Sequence, residues 1–259
     1  MYENLIIILP IIGFLIGLLV TTIGGGGGGL YTVILIMLGV DIQTSVATSL
    51  ATVLPTTVVG AYNHNKQNNI DKGMGIVLGI SGLIGTFIGI YISSLIPEHL
   101  LKKAFGILFI ILAIVNLKKF ISELRSEEKI EKKTKVRIKG FKKIFIPLFG
   151  IFGGILAGIF GLSGTPPIQL ILLLLGYTAT TIIGTTIFVL IFNSIGGILG
   201  YGALGRIDIN LVLLLCSGTI IGAILGPKIV EKTNEDILEI IIPIIIIVIN
   251  LIFAIKMLL

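Results

Sequence analysis

Long apolar stretches alternate with short polar breaks along almost the whole chain. Most of these stretches approach or exceed the roughly 20 residues that a helix needs to cross a bilayer. We expect membrane spans near residues 4–23, 43–63, 74–96, 100–118, 144–160, 179–203, 210–230 and 236–257. Two shorter runs, 30–40 and 166–176, rise only about 16 Å at 1.5 Å per residue, which is half of the hydrocarbon core. The pattern predicts an all-α polytopic membrane protein in which the short runs are half-helices or re-entrant segments.

The composition narrows the class of protein further. Of the 259 residues, 55% are hydrophobic and only 12% are charged, whereas a soluble domain carries about a quarter charged residues. An ordinary soluble enzyme and a disordered chain are therefore excluded. The chain has one cysteine and two histidines, so we expect no disulfide framework, no metal site and no cofactor. The first span has neither the basic start nor the cleavage site of a secretory signal, and we expect it to be retained.

Positive charge is concentrated in one segment of the chain. Between Lys118 and Lys143 lie eleven Lys or Arg and four Glu, a net charge of +7, whereas the remainder has 8 basic and 9 acidic residues. Such a patch could bind nucleic acid or anionic lipid. The positive-inside rule is the better explanation, because the patch joins two very hydrophobic halves and carries no nucleic-acid motif. We therefore expect 121–143 to be a basic cytoplasmic linker between a first transmembrane repeat, 1–120, and a second, 144–259.

The two halves resemble each other at a constant offset. Shifting the sequence by 137 positions aligns them without a gap from Pro10 to about Leu117. Apolar residues match easily by chance, but glycines and aspartates at one offset do not. The matching pairs include Gly13 and Gly150, Gly17 and Gly154, Gly24 and Gly161, Gly27 and Gly164, Gly85 and Gly222, and Asp71 and Asp208. The offset predicts a tandem duplication of a four-span unit, each with a Gly-rich break and a short apolar segment.

The charge pattern leaves two topologies open. If the short runs re-enter without crossing, both termini are cytoplasmic and the repeats are parallel; if they cross, the repeats are inverted. Both arrangements occur in transporters. Lys256 near the C-terminus favours the first, so we expect a multi-pass protein of the cell membrane with the linker and both termini cytoplasmic.

The Gly-rich breaks are the clearest candidates for a binding site. Six glycines at Gly24–Gly29 weaken a helix by roughly 1 kcal/mol each, and unwound backbone at membrane depth is tolerated only inside protein or beside a wet cavity. The matching segment, Gly161–Pro167, places two prolines where a helix would start. Each half would present free N–H groups and a helix N-terminus, which favour an anion. Paired interrupted segments of this kind indicate a transport site.

Hydroxyl and amide side chains on the neighbouring spans complete the predicted site. They could instead form hydrogen bonds between helices or back to their own helix. Asp71 and Asp208 lie at loop edges, and we expect them to cap the helices that follow; we expect isolated glycines such as Gly85 and Gly222 to allow close helix packing. The predicted substrate-binding residues are Gly26, Gly27, Gly28, Gly29, Gln43, Thr48, Ser49, Thr52, Ser163, Gly164, Thr165, Gln169, Thr185, Thr186 and Asn193.

An enzyme and a channel are two further classes of membrane protein to consider beside a transporter. Residues 161–164 form a G-x-S-G string similar to the serine motif of rhomboid-type intramembrane proteases, but no histidine follows Ser163 to act as its base. We therefore expect no enzyme. An ion channel or a cation-coupled permease for another small organic anion stays the alternative, with carbonyl groups rather than N–H groups facing the ion in a channel. Proton coupling and the oligomeric state are left open.

Taken together, these motifs resemble the TauE/SafE (sulfite exporter-like, TSUP) family of membrane transporters. The resemblance rests on the Gly-rich string 24–29 with its short apolar run, on Ala47–Ser49, on Gly154–Pro166 and on the small residues of Gly184–Gly197. The family often has a proline shortly after the first string, where this chain has Leu30–Val33. The resemblance implies export or exchange of small sulfur-containing anions, such as sulfite or sulfoacetate. Alternating access around a central anion site is the expected mechanism.

Overall fold

The computed structural model of the chain describes residues 2–23, 28–125, 145–230 and 235–258. Within these ranges the chain is helical and forms no strand, which confirms the all-α prediction. The helices are α1 (Tyr2–Ile23), α2 (Gly28–Met37), α3 (Ile42–Lys66), α4 (Lys72–Leu95), α5 (Glu98–Arg125), α6 (Ile146–Phe160), α7 (Thr165–Leu174), α8 (Ala179–Ala203), α9 (Ile209–Val230) and α10 (Glu235–Leu258). Four helices of the described part, α3, α4, α5 and α8, contain stretches long and apolar enough to cross a membrane.

The helices form two compact units. The first contains residues 1–95 and 135–227, and the second contains 96–134 and 228–259. Each unit combines helices from both predicted repeats, so the units do not coincide with the division into 1–120, 121–143 and 144–259. That division describes repetition along the sequence and stays a prediction.

In the first unit, α4 and α6 pack closely along a seam of small residues. A Cβ atom at Gly154 would overlap the backbone oxygen of Gly82, and one at Gly85 would overlap the backbone oxygen of Ile151. Side chains at these positions would push the two helices apart. The predicted role of Gly85 in close packing is confirmed.

A second pair, α1 and α9, packs in the same manner. A Cβ atom at Gly17 would meet the backbone oxygen of Thr219, and one at Gly218 would overlap the backbone oxygen of Pro10. Gly222 lies equally close to the backbone of α1. In both pairs, a contact further along one helix is made with a residue further along the other. Helix α1 therefore runs parallel to α9, and α4 runs parallel to α6.

The two long central helices, α3 and α8, are antiparallel. At one end, Asp41 immediately before α3 lies 3.9 Å from Arg206 just after α8. At the other end, the backbone N–H of Asp71, which follows α3, donates to Thr185 Oγ1 near the start of α8 at 3.0 Å. We call these the Asp41 end and the Asp71 end of the first unit.

The first helices of the two halves enter this unit from opposite ends. Leu9 of α1 packs with Leu211 at the start of α9, close to the Asp41 end. Ile146 of α6 packs with Leu78 and Met74 of α4, close to the Asp71 end. The starts of α1 and α6 therefore lie at opposite ends of the unit.

The second unit contains α5 and α10, which pack through aromatic side chains. Phe109 meets Phe253 edge to face with ring centroids 4.6 Å apart, and Phe105 lies against both rings at 6.4 Å. Such pairs add about 0.5–1.5 kcal/mol beyond the burial of apolar area. Gly106 leaves space that Leu258 of α10 occupies.

Both predicted helix caps are present. Asp71 Oδ1 accepts from the Met74 N–H at 2.9 Å, and Asp208 Oδ1 accepts from the Leu211 N–H at 3.1 Å. Asp71 gains a further bond, because the hydroxyl of Tyr177 donates to its Oδ2 at 2.5 Å. The Met74 N–H and then the Tyr177 hydroxyl hold the pKa of Asp71 below its ordinary value. Burial, followed by the same bond to Asp71, raises the pKa of Tyr177 to about 12.

The lowered pKa of Asp71 predicts a loss of stability in acid. A carboxyl group whose pKa is lower in the folded state stabilises it above the unfolded pKa of about 3.9, and this contribution is lost as the pH falls through the folded pKa. We expect Asp71→Asn, which keeps a capping side chain, to reduce the fall in melting temperature between pH 6 and pH 3. Asp208→Asn is the control and should retain the wild-type fall, because Asp71 is unchanged. An unaltered pH profile of Asp71→Asn would contradict the assignment.

Candidate functional site

The two interrupted segments meet inside the first unit. A Cβ atom at Gly28, the first residue of α2, would overlap Ser163 Oγ and lie 2.5 Å from the backbone oxygen of Gly161. Gly29 lies in the same way against the side chain of Leu162. The N-terminus of α2 therefore lies directly against the loop that precedes α7. Of the predicted glycines, Gly26 and Gly27 lie outside the described residues.

Helix α3 holds the start of α2 through hydroxyl groups. Ser49 Oγ donates to the backbone oxygen of Gly28 at 2.5 Å, and Thr32 Oγ1 of α2 donates to the same oxygen at 3.2 Å. One turn further along α3, Thr52 Oγ1 donates to the backbone oxygen of Thr48 at 2.8 Å. The structure thus brings the predicted residue Ser49 into contact with the first break.

Helix α8 holds the second loop through Asn193. Its Nδ2 donates to the backbone oxygen of Ser163 at 2.9 Å. Ser49 is the eighth residue of α3, and Asn193 lies ten residues before the end of α8. At 1.5 Å per residue, both positions are about 10–15 Å from the Asp41 end, so the two breaks meet near mid-depth.

The second loop has a backbone that ordinary residues rarely adopt. Gly161, Ser163 and Gly164 all have positive φ, at 66°, 58° and 78°. For Ser163 this conformation costs about 1–2 kcal/mol, because its Cβ approaches the following carbonyl oxygen. Strain of this kind persists only where the surroundings enforce it, and it concentrates at functional sites.

Several buried polar atoms around these breaks have no hydrogen-bond partner among the described residues. Leaving a buried donor or acceptor unpaired costs about 1–3 kcal/mol, so such groups indicate bound water or a ligand. The atoms in this set are Thr48 Oγ1, Ser163 Oγ, Thr165 Oγ1, Thr186 Oγ1, Asn193 Oδ1 and Ser194 Oγ. All but Ser194 belong to predicted binding residues.

Three predicted residues are placed differently. Thr185 Oγ1 accepts from Asp71 at the Asp71 end, and Gln43 Nε2 donates to the backbone oxygen of Ser93 at 3.1 Å. Their polar groups therefore connect helices in this structure. Gln169 lies half-buried in the second turn of α7. Roles of these three in substrate binding stay predictions.

The sequence did not indicate how the first half-helix is anchored. The hydroxyl of buried Tyr31 donates to Thr219 Oγ1 of α9 at 3.0 Å, and Thr219 donates in turn to the backbone oxygen of Leu215. Tyr31 lies in the run where the related family often has a proline. The sequence feature that could have indicated this anchor is the single tyrosine in an otherwise apolar run, since a buried tyrosine usually has a hydrogen-bond partner.

The electrostatics of the site come from neutral groups. Among side chains with described burial, the buried polar groups belong to serines, threonines, asparagines and the tyrosines Tyr31 and Tyr201, and none is an acidic or basic residue. Arg206 and Asp41 pair at the Asp41 end, with nearly half of each side chain exposed. Hydroxyl groups and helix N-termini can donate hydrogen bonds to an anion without a buried carboxylate to repel it.

Comparison with known proteins identifies the family. The model of the family "Sulfite exporter TauE/SafE" matches residues 9–253, nearly the whole chain. The chain belongs to the TauE/SafE family. It is thus a membrane transporter, and its apolar helices fit a multi-pass membrane protein.

Two curated relatives agree with TauE/SafE membership. The chain is 29% identical over 221 residues to "Probable membrane transporter protein YdhB" of Bacillus subtilis (strain 168), covering 84% of this chain and 87% of the relative. It is also 29% identical over 251 residues to "Probable membrane transporter protein MJ0441" of Methanocaldococcus jannaschii, covering 90% of each chain. No solved structure matches the chain. The family and both names indicate a membrane transporter.

Proposed function

We propose that this TauE/SafE protein is a secondary transporter that exports or exchanges small sulfur-containing anions by alternating access. The observation that carries the proposal is the meeting of two half-helix starts, at Gly28 and at Ser163–Thr165, beside buried hydroxyl groups without partners. Helix N-termini and hydroxyl donors favour an anion. The family description names a sulfite exporter, and we extend the substrate class to sulfonates such as sulfoacetate because they carry a related sulfur–oxygen anion.

Flux measurements in proteoliposomes test this proposal. We expect saturable uptake of labelled sulfite or sulfoacetate that other small sulfur anions inhibit, and its response to an imposed pH gradient reports proton coupling. Liposomes containing heat-inactivated protein are the control for leakage. Absence of flux for every sulfur anion tested, from protein that elutes as a folded species, would contradict the proposed substrate class.

An ion channel, or a cation-coupled permease for another small organic anion, is the alternative function. Ligands stabilise the state that they bind, so melting temperatures distinguish the two. An anion site predicts a rise in melting temperature with sulfite or sulfoacetate at constant ionic strength. Stabilisation by monovalent cations alone would favour the alternative.

We further propose that the two halves are duplicated repeats of inverted topology. The contacts of α4 with α6 and of α9 with α1 support this proposal, because they are equivalent. Gly85 contacts Ile151, and the residues that the 137-residue offset matches to these two, Gly222 and Phe14, contact each other as well. The antiparallel α3 and α8 support inversion. In this arrangement α1 starts and α2 ends at the Asp41 end, so the short run re-enters without crossing although the repeats are inverted. The starts of α1 and α6 lie on opposite sides of the membrane, and cytoplasmic placement of both termini does not fit this arrangement.

Labelling of engineered cysteines tests the inverted arrangement. In a Cys216→Ser background, we expect Gln67→Cys at the Asp71 end to react with an impermeant thiol reagent from the cytoplasmic side only. Leu204→Cys at the Asp41 end should react from the outside only. Labelling of both positions from the same side would exclude inverted repeats.

A further inference from the structure

A shallow groove lies at the Asp71 end of the first unit, separate from the central breaks. Its volume is about 230 Å³, and its lining residues are Ala61, Tyr62, Asn65, Ile70, Lys72, Phe188 and Ile191. Small-molecule sites usually enclose about 300–1,000 Å³. The size and the apolar walls favour a narrow hydrocarbon segment over a compact polar solute.

One lysine that lines this groove and one beside it lie at the membrane boundary. Lys66 is the last residue of α3, and Lys72 is the first residue of α4. The ammonium group of Lys66 lies 4.6 Å from the centre of the Tyr62 ring, an arrangement that holds the charge beside the groove. Neither lysine forms an ion pair with a described carboxylate, so both charges are available to a ligand.

Asp71 forms no ion pair with Lys66 or Lys72 among the described residues. Asp71 precedes Lys72, but its two carboxylate oxygens accept from the Met74 N–H and the Tyr177 hydroxyl. Clustered Lys and Arg at a membrane surface attract anionic lipids.

The equivalent positions of the other half lack these features. A shift of 137 positions takes Tyr62, Asn65, Lys66 and Lys72 to Leu199, Gly202, Ala203 and Ile209. The second half therefore has no cation and no aromatic ring at these four positions, and the cation of the same loop, Arg206, pairs with Asp41. Close packing of the helices does not require the lysines and the tyrosine, because the other half does without them.

We propose that this groove binds one anionic glycerophospholipid. The phosphate is held by Lys72 and Lys66 at the membrane boundary, and the first part of one acyl chain lies against Phe188, Ile191 and Ala61. Tyr62 lies between the two regions, as aromatic side chains do at membrane interfaces. The occupant is a lipid rather than free phosphate, because the walls below the lysines are apolar.

Lipid binding to the purified full-length protein tests the proposal. Native mass spectrometry would compare phosphatidylglycerol with phosphatidylcholine of the same acyl chains. We expect preferential retention of phosphatidylglycerol, reduced about fivefold by Lys72→Ala and about fivefold again by adding Lys66→Ala, since each basic residue near the surface contributes about 1 kcal/mol. Lys103→Ala removes an exposed lysine of α5 and is the matched control, which should retain wild-type preference.

Two further measurements distinguish a bound lipid from a bound phosphate group alone. Ile191→Phe narrows the groove without changing charge, and we expect it to weaken phosphatidylglycerol retention in protein that melts as the wild type does. Glycerol phosphate, which lacks acyl chains, should raise the melting temperature less than the lipid. Equal retention of both lipids, equal binding by the double lysine variant, or full stabilisation by glycerol phosphate would each overturn the proposal.

Discussion

Replacing Ser163 by glycine is expected to stabilise the protein while lowering transport at least tenfold. The gain in stability, about 1 kcal/mol, follows from the left-handed backbone at φ 58°, which glycine adopts without steric cost. No described hydrogen bond is lost, because Ser163 Oγ is buried without a partner. Transport falls because the hydroxyl that faces the start of α2 no longer binds the substrate. Thermal unfolding and proteoliposome flux of the same preparation measure the two effects.

Asn68→Gly is the matched control for this substitution. Among the described residues, Asn68 is the other non-glycine with positive φ, at 56°, and it lies exposed in the loop between α3 and α4. We expect a smaller gain in stability, because asparagine tolerates this conformation better than serine, and unchanged transport. If Ser163→Gly showed wild-type flux, the hydroxyl of Ser163 would not belong to the substrate-binding site. If both variants lost flux, we would attribute the loss to the added backbone flexibility of glycine rather than to the missing serine hydroxyl.

Substitution of Gly154 by alanine is expected to produce a large loss of stability. The added Cβ atom would overlap the backbone oxygen of Gly82 and lie 2.7 Å from the backbone nitrogen of Thr86. Both neighbours are backbone atoms of α4, so the helices must separate along the seam. Overpacking costs about 1–3 kcal/mol, and the loss of close contact at neighbouring positions adds to this. Melting temperature in detergent and gel filtration report the effect.

Gly73→Ala is the control for Gly154→Ala. Gly73 lies exposed in the first turn of α4, where a Cβ atom would make an ordinary contact of 3.5 Å with Asp71 Oδ1. We expect it to be neutral or to stabilise by about 0.5–1 kcal/mol, since alanine favours a helix more than glycine does. A melting temperature of Gly154→Ala equal to the wild type would contradict the close packing of α4 and α6.

The short helices and the helix caps depend on local sequence, and the sequence predicted both. The short apolar runs predicted at 30–40 and 166–176 correspond to α2 and α7, which begin at Gly28 and Thr165. Asp71 and Asp208 cap helices as expected, because a cap needs only a side chain and the next turn of backbone. The meeting of Gly28 with Ser163 could not be predicted, since these residues are 135 positions apart.

In the candidate site too, the sequence predicted some side chains but not which groups they contact. Residue type and helical position selected Ser49 and Asn193 as candidate substrate-binding residues, and the structure brings both into contact with the breaks. Their role in substrate binding stays a prediction. The same criteria also selected Thr185, whose hydroxyl accepts from Asp71 at the Asp71 end of α8. Helical spacing assigns a side chain to a face, but the neighbouring helix decides which group it meets.

The sequence by itself determined that this chain is a helical membrane transporter of the TauE/SafE family with two interrupted segments. Apolar length, glycine breaks and motif order are local properties, and each carries its information in consecutive residues. Only the tertiary structure decided that the two breaks touch, that α3 and α8 run in opposite directions, and that Tyr62 and Lys72 share a groove with Phe188. These relations depend on contacts between distant helices, which form wherever small residues permit close approach.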